Sequence, residues 1–515
     1  MADPKPKAST VSEIMSTPVV TAAGGDTMVE TATRMRDGRV GSVVVVDGKR
    51  PIGILTERDI MRFAASGSDP STAKVSEWMT ESPDTVAPDE EIVDAFRSLS
   101  EHGYRHIPVV SGNELVGIVS IRDLMRVARI TPVEAPAVEV PKGLEGVAVA
   151  ETEIGDVRGT EGFYHYRQYN AVELAENRML EDVWYLLYNG ELPTRAQREA
   201  FIDEIRPLRE VPSDVKELLP AIAGLGDHFI PLDAMRTALS VMASALDFKP
   251  WLDVELAELR TQALQVCAVV PTLIMNLYRL RQGDEPVDPH PDLPYAANFL
   301  YMLRGEVPSD DHARAIEHYL VSTIDHGFNA STFTARVIAS TGADLGSAVV
   351  GAIGALSGPL HGGAPSRALG MLDEIGDPAN TDDYLRNAVQ SGKRLMGFGH
   401  RVYKTDDPRS VMLRGVAERL GGKRVEFAKH VEKRAVAILE ELKPGRKLYA
   451  NVEYYAGLVM DEVGLPGTLF TPTFASSRVI GWTAHILEQA ADNRLIRPSA
   501  RYVGPEPPQP LPEER

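Results

Sequence analysis

Apolar residues at intervals of three and four dominate the C-terminal three-quarters of the chain and predict helices. Val172, Ala175, Met179, Val183 and Leu186 share one face, and Gly190 stands where a helix in that phase would stop. Similar stripes run from Ala196 to Ile205, Leu256 to Arg281 and Val431 to Leu442. Alternation with period two is short and rare in this stretch, so a mostly all-α body is expected.

The N-terminal quarter is patterned differently, and it is patterned twice. VSEIM at Val11 recurs as VSEWM at Val75, and GILTERDIMR at Gly53 recurs as GIVSIRDLMR at Gly117, each pair 64 residues apart. Between these anchors each copy carries a short helical stripe (Met28, Ala32, Met35; then Ile92, Phe96, Leu99) and a β-rich run, VGSVVVVDG or RHIPVVSGN. Two similar units, each with an apolar face too small to bury alone, predict one compact α/β module over residues 8–130, with repeats at about 8–66 and 72–130.

TPVEAPAVEVPKG, from Thr131, has three prolines and no periodicity, so residues 131–144 read as a linker and a boundary is expected near residue 140. The body then spans residues 145–505, and the polar, Pro-rich tail 506–515 is expected to be disordered or draped over a neighbour. At 515 residues, two or more domains are required by length alone.

A formal charge of -19 argues against nucleic acid or an anionic membrane surface as the main partner. The lone Cys267 cannot form an intramolecular disulfide, and MADPKPKAST lacks a signal-peptide core, so a cytoplasmic location is expected. The run Ala348 to Leu360 is read as the most apolar, and it falls short of the roughly 18 residues that suggest a membrane span.

Of twelve histidines, three in the C-terminal body lie beside glycines in loop-like contexts: His326 in DHGFNAST, His361 in SGPLHGGAPS and His400 in LMGFGHRVYKTDDPR. Glycine lets backbone approach a ligand closely, so these imidazoles are candidates for contact with a small anion. HExxH, Cys-x-x-Cys, P-loop and G-x-G-x-x-G patterns are all missing, so no metal site is expected, and kinase or dehydrogenase chemistry is disfavoured.

In the front module, Thr56 with Asp59 and Ser120 with Asp123 follow strands and open helices. The hydroxyl suits a helix cap or a phosphate, and the carboxylate suits ribose hydroxyls; plain capping accounts for the pattern as well. With the duplication, these residues resemble a tandem pair of cystathionine-β-synthase (CBS) domains. The resemblance implies an adenine nucleotide effector (AMP, ADP or ATP) at Thr56, Asp59, Ser120 and Asp123.

GFYHYRQYNAVELAENRMLEDVWYLLYNGELPT, DHGFNASTFTARVIAST, GALSGPLHGGA, MGFGHRVYKTDDPR and TPTFASSRVIGWTAHILEQ resemble, in order, segments of citrate synthases. The resemblance implies a large helical domain with a small closing domain, at least a homodimer, acetyl-CoA and oxaloacetate as substrates, and no cofactor. It implies that His361 stabilises the enol of acetyl-CoA, that His400 polarises the oxaloacetate ketone, and that Glu453 is the base. His326, Arg409, Arg478 and Arg497 would hold oxaloacetate, Arg497 reaching a neighbouring subunit's site. Arg394, Leu395, Met396, Gly397 and Phe398 would line the CoA adenine.

The chemistry agrees with those roles. A dianion suits guanidinium forks, and enolisation of a thioester needs a base on one side and a donor on the other. Two positions depart from the family: Glu453 replaces the usual aspartate, and Pro365 and Ser366 follow HGGA in place of Asn-Glu. Three alternatives stay open: 2-methylcitrate synthesis from propionyl-CoA, citryl-CoA cleavage, and a nucleotide-sensing scaffold with weak activity.

Overall fold

The computed structural model describes residues 10–38, 40–92, 94–95, 99, 106–120, 140–359, 361, 365–399, 403, 405–445, 448–505 and 507–509. His400 and Asp123 lie outside the described residues. The chain divides into two compact units: Met1–Glu145 with Ser499–Arg515, and Gly146–Pro498. The C-terminal stretch from Ser499 therefore groups with the N-terminal unit, where the sequence reading assigns it to the body as far as residue 505.

In the first unit, strands Thr21–Ala23, Ser42–Asp47, Arg50–Thr56 and Thr80–Glu81 form one sheet in that order. The first pair is parallel and the others antiparallel. Strands His106–Ser111 and Glu114–Ser120 form the antiparallel centre of a second sheet. Its flanks repeat the first, since Val86 bridges Val109 in parallel and Ser16 bridges Ile118 antiparallel.

The structural halves do not coincide with the sequence repeats. The strand that closes the first sheet follows the second VSE turn, whereas the bridge that closes the second sheet comes from Ser16, after the first. The cores exchange likewise: Val11 packs with Val86, Ile107 and Val119, and Val75 with Val43, Leu55 and Phe63. Glycine makes room for the exchange. A Cβ on Gly53 would lie 2.2 Å from Met79 Sδ, and one on Gly117 would lie 2.4 Å from Met15 Sδ.

The second unit is helical, with one three-stranded sheet of Gly155–Arg158, Phe163–Tyr166 and Tyr169–Asn170. The single helix predicted over Val172 to Leu186 is two, Ala171–Asn177 and Leu180–Asn189. The apolar stripe runs through a break at Arg178 and Met179, both extended, and the Leu180 amide freed by the break donates to the buried Glu317 carboxylate at 3.2 Å. Gly190 ends the second helix in the left-handed region, as its position predicts.

Among the described residues, helix Leu256–Gln282, rather than the run ending at Leu360, is the stretch long and apolar enough to span a membrane by length and composition. Its residues from Val266 to Leu277 are all buried, and it packs against helix Phe470–Ala491. It is the core of the body, and the second of these helices carries Arg478 and Trp482.

Candidate active site

Three helices start at side-chain caps, and each presents a site residue in its first turn. Asn329 Oδ1 accepts the amides of Ser331 and Thr332, opening Ala330–Ser340. Asp407 accepts the amide of Arg409, opening Pro408–Leu420, and Asn451 accepts the amide of Glu453, opening Val452–Glu462. The caps satisfy amides that a helix start leaves without partners, and the helix ends carry partial positive charge suited to anions.

Arg409 is 3% exposed and bound at two points by Asp407, Nε to Oδ1 at 3.0 Å and Nη2 to Oδ2 at 2.8 Å. Burial works against its charge, but Asp407 outweighs burial and raises the guanidinium pKa. The guanidinium sits over the rings of Tyr164 and Tyr403, 5.9 and 5.8 Å from their centroids. His326 packs against the same two rings, and its Nε2 is 3.0 Å from Tyr403 Oη. Two of the predicted oxaloacetate ligands thus share one aromatic cradle.

Arg478, 2% exposed, donates from Nε to the Thr323 carbonyl at 2.8 Å and lies 4.5 Å from the centroid of Phe474. Among the described residues it has no ion-pair partner within 4.0 Å. Burial presses its pKa down, and the carboxylate of Asp325 opposes that shift. Asp325 is buried with His485, Oδ1 to Nε2 at 3.2 Å; burial disfavours its charge, but His485, Arg478 and the Gly327 amide hold its pKa below the usual carboxylate range. A buried cation short of a direct counterion is suited to a small anionic ligand.

His361 Nε2 lies 2.8 Å from Ser331 Oγ and accepts the Ser331 amide at 3.3 Å. Burial, reinforced by Arg478, lowers its pKa to about 4, so the ring is neutral near pH 7. Glu453 moves the other way. Burial raises its carboxyl to about 7, with Arg409 and Arg394 opposing and Asp407 adding to the rise. A neutral imidazole and a carboxyl poised near neutrality are what proton transfer at this pH calls for.

The segment before His400 is tied to the Glu453 helix. The Asn451 amide donates to Gly397 O, the Gly399 amide to Tyr449 O and Asn451 Nδ2 to Gly399 O, at 2.8, 2.8 and 2.9 Å. Gly397 is required there: its φ is +83°, and a Cβ would meet the Tyr454 ring at 2.9 Å. Leu395 and Phe398 are buried, Met396 is half-buried and Arg394 is exposed.

Arg497 is exposed on the coil after the last helix and does not join these residues within the chain. Pro365 occupies the first position of helix Pro365–Ile375, where its missing amide costs nothing. In the front module the Thr56 amide and hydroxyl both donate to Asp59 Oδ2, at 2.9 and 2.7 Å, a capping box. Ser120 ends its strand half-buried. A cavity of about 530 Å³ flanks the site: Tyr164, Asp406 and Pro408 line it, but His361, Arg478 and Glu453 do not.

Sequence reasoning missed Asp407, Tyr403, Ser331 and Trp482. Asp407 and Tyr403 stand inside HRVYKTDDPR, and the pair DP before an arginine is a legible helix start. Ser331 and Trp482 carry no signal of their own in sequence.

Residues 143–499 match the family described as "Citrate synthase, C-terminal domain", and residues 11–66 and 75–129 each match the CBS domain family. A citrate synthase of Haloferax volcanii is 40% identical over 368 residues, covering 71% of this chain and 96% of that protein. A 2-methylcitrate synthase of Mycobacterium tuberculosis is 39% identical over 384 residues, covering 74% and 95%. The solved citrate synthase of Thermoplasma acidophilum aligns at 32% identity.

 In that solved structure the enzyme is held as a ternary complex with carboxymethyl coenzyme A and oxaloacetate; the 32% identity comes with a TM-score of 0.67, covering 73% of this chain and 99% of that one. The citrate synthase of Pyrobaculum aerophilum aligns at 37% identity with a TM-score of 0.65, covering 72% and 94%.

Proposed function

Because the chain belongs to the citrate synthase family, we propose that it condenses acetyl-CoA with oxaloacetate and hydrolyses the citryl thioester to citrate and CoA. The observation that carries this reading is the opposed tuning of two groups, Glu453 pushed up to about 7 and His361 down to about 4. Ionised Glu453 takes a proton from the methyl carbon of the thioester. Neutral His361 donates a hydrogen bond to the carbonyl oxygen as negative charge gathers there.

The enol carbon then attacks the ketone carbon of oxaloacetate, and the new alkoxide takes a proton from His400. Arg409, Arg478 and His326 hold the oxaloacetate, and Arg497 serves the site of a second subunit in a homodimer. Water finally cleaves the thioester and releases CoA. Until the carbon–carbon bond exists water must be kept out, which calls for closure of the smaller domain. The reaction moves protons and makes one carbon–carbon bond, so it calls on no cofactor. Arg394 to Phe398 line the adenine of CoA, and the enzyme works in the cytoplasm.

Propionyl-CoA is the second reading, favoured by the likeness to a 2-methylcitrate synthase at 39% identity. One methylene in an apolar pocket changes binding by about 1–3 kcal/mol, so the two substrates differ in degree. Thiol release by the purified chain with oxaloacetate and each acyl-CoA tests both. A higher kcat/KM with acetyl-CoA supports the first reading, a higher one with propionyl-CoA the second, and no release with either refutes both.

The tandem CBS module binds an adenine nucleotide at Thr56, Asp59, Ser120 and Asp123 and changes the activity of the synthase. Regulation requires the nucleotide to bind two states of the enzyme unequally. Saturating AMP, ADP or ATP is expected to change kcat or a KM; constancy of all of them overturns the regulatory part alone.

A further inference from the structure

We propose that His485 is a positioning residue for the oxaloacetate pocket, holding Asp325 off Arg478 so that the guanidinium stays open to a substrate carboxylate. The part played by Arg478 rests on the synthase reading above. Arg478, Gly481 and His485 follow one another at intervals of three and four on helix Phe470–Ala491, so they share one face. Asp325 lies against that face at Gly481, where a Cβ would stand 3.3 Å from the Asp325 Cβ and run into the Ile324 carbonyl. The carboxylate thus has a cation one turn to one side and an imidazole one turn to the other.

Each oxygen of that carboxylate is engaged by a donor other than the cation. Oδ1 accepts from His485 Nε2 at 3.2 Å, and Oδ2 accepts the Gly327 amide at 3.2 Å. Both side chains are buried, and burial opposes the charge of Asp325, but His485 and Arg478 keep its pKa below the usual carboxylate range. Among the described residues the bond to Asp325 is the one hydrogen bond the His485 ring makes, since its Nδ1 stands 3.9 Å from Glu488 Oε2. Glu488 is committed elsewhere, to the Glu153 amide at 2.7 Å and to Arg336 Nη1 at 2.6 Å.

What the imidazole prevents is an ion pair. Arg478 is a buried cation with no counterion within 4.0 Å among the described residues, and Asp325 is the carboxylate that acts on it most strongly. Two such charges attract each other strongly in the interior. Without the Nε2 donor, Oδ1 is released and turns toward the guanidinium. The Gly327 amide does not stop it, because that amide holds the other oxygen. Oxaloacetate must then break the new pair in order to bind, whereas His361 and Glu453 keep their places. The effect therefore falls on KM for oxaloacetate and spares kcat.

His485→Leu removes the donor, and His485→Gln offers an amide N–H in its place. In the full-length chain His485→Leu should raise the oxaloacetate KM about tenfold, as for one lost hydrogen bond of ordinary strength, with kcat and the acetyl-CoA KM within about twofold. His485→Gln should stay within about threefold of the unaltered chain. Asp325→Asn removes the charge and keeps an oxygen for the Gly327 amide, so alone it should not raise the oxaloacetate KM. Added to His485→Leu, it should restore most of what that variant loses. A role in packing alone predicts the reverse, a double variant as poor as His485→Leu or poorer.

A double variant no better than His485→Leu overturns the proposal, as does a His485→Leu enzyme that loses kcat at unchanged KM, or a His485→Gln enzyme as poor as His485→Leu. If His485→Leu does not fold, Asp325→Asn decides alone: an unchanged or lower oxaloacetate KM supports a carboxylate held off the arginine, and a rise of about tenfold overturns it. Calorimetric titration with oxaloacetate gives the same ratios as Kd. A chain that binds oxaloacetate but releases no thiol sinks the synthase reading and leaves the titration to decide the role of His485; an unaltered chain that does not bind oxaloacetate overturns both.

Discussion

Asp407 holds Arg409 through both carboxylate oxygens, at 3.0 and 2.8 Å, and its Oδ2 also accepts the Val452 amide at 3.1 Å, one residue before Glu453. One buried carboxylate thus couples an arginine to the helix that carries the proposed base. Asp407→Asn leaves the Arg409 charge without its counterion in the interior, and breaking a buried pair in this way costs about 3–5 kcal/mol. Urea unfolding of the full chain should show a loss of that size, and the oxaloacetate KM should rise because Arg409 is no longer held in one geometry.

Glu453 makes activity and stability depend on pH in opposite directions. Its carboxyl must be ionised to act as a base, so kcat/KM is expected to fall about tenfold per pH unit below about 7. For stability, the folded state keeps a proton up to about pH 7 that the unfolded chain releases near 4.5. The folded state binds more protons across that window, so the contribution of Glu453 is most favourable below pH 4.5 and is lost as pH rises through 7. Glu453→Gln removes the penalty. It should melt higher than the unaltered chain at pH 8, with the difference shrinking toward pH 5, while thiol release is abolished; melting curves at the two pH values check the sign.

Much of this site was readable from residues, and the unreadable part has a physical cause. Glycine context singled out His326 and His361, and the resemblance to citrate synthases implied roles for Arg409, Arg478 and Glu453. Trp482 and Ser331 read as ordinary core and helix-start residues, since which side chains meet across 151 positions of chain is settled by packing. The same limit explains the fold. The apolar stripe from Val172 to Leu186 shows a face but not the break at Arg178, which depends on a distant acceptor, Glu317. The 64-residue repeat shows two equal units but not that each VSE turn serves the other's sheet.

That exchange is itself testable. Gly53 lies under Met79, whose Sδ, Cγ and Cε would stand 2.2, 2.9 and 3.1 Å from a Cβ. Gly53→Val should therefore cost about 1–3 kcal/mol through overpacking, felt in the first sheet alone. Hydrogen exchange on the full chain should quicken in Ser42–Asp47 and Arg50–Thr56 and stay unchanged in Glu114–Ser120. Adding Met79→Ala should restore part of the protection by vacating the space.

The length of Glu453 is the last lever. The resemblance to citrate synthases implies an aspartate at this position, and the extra methylene of glutamate moves the carboxylate by roughly 1 Å, a misplacement that can cost about 100-fold in rate. In this chain the backbone is anchored by the Asn451 cap and by the bonds from Gly397 and Gly399, so the helix start cannot slide forward to make up for a shorter side chain. If the site is built around glutamate, Glu453→Asp should lower kcat by about 100-fold while leaving the oxaloacetate KM near its original value, because Arg409 and Arg478 are untouched. Steady-state kinetics with both substrates varied checks the split; a faster Glu453→Asp enzyme would mean that glutamate is held too far forward and that the native chain works below the capacity of its own scaffold.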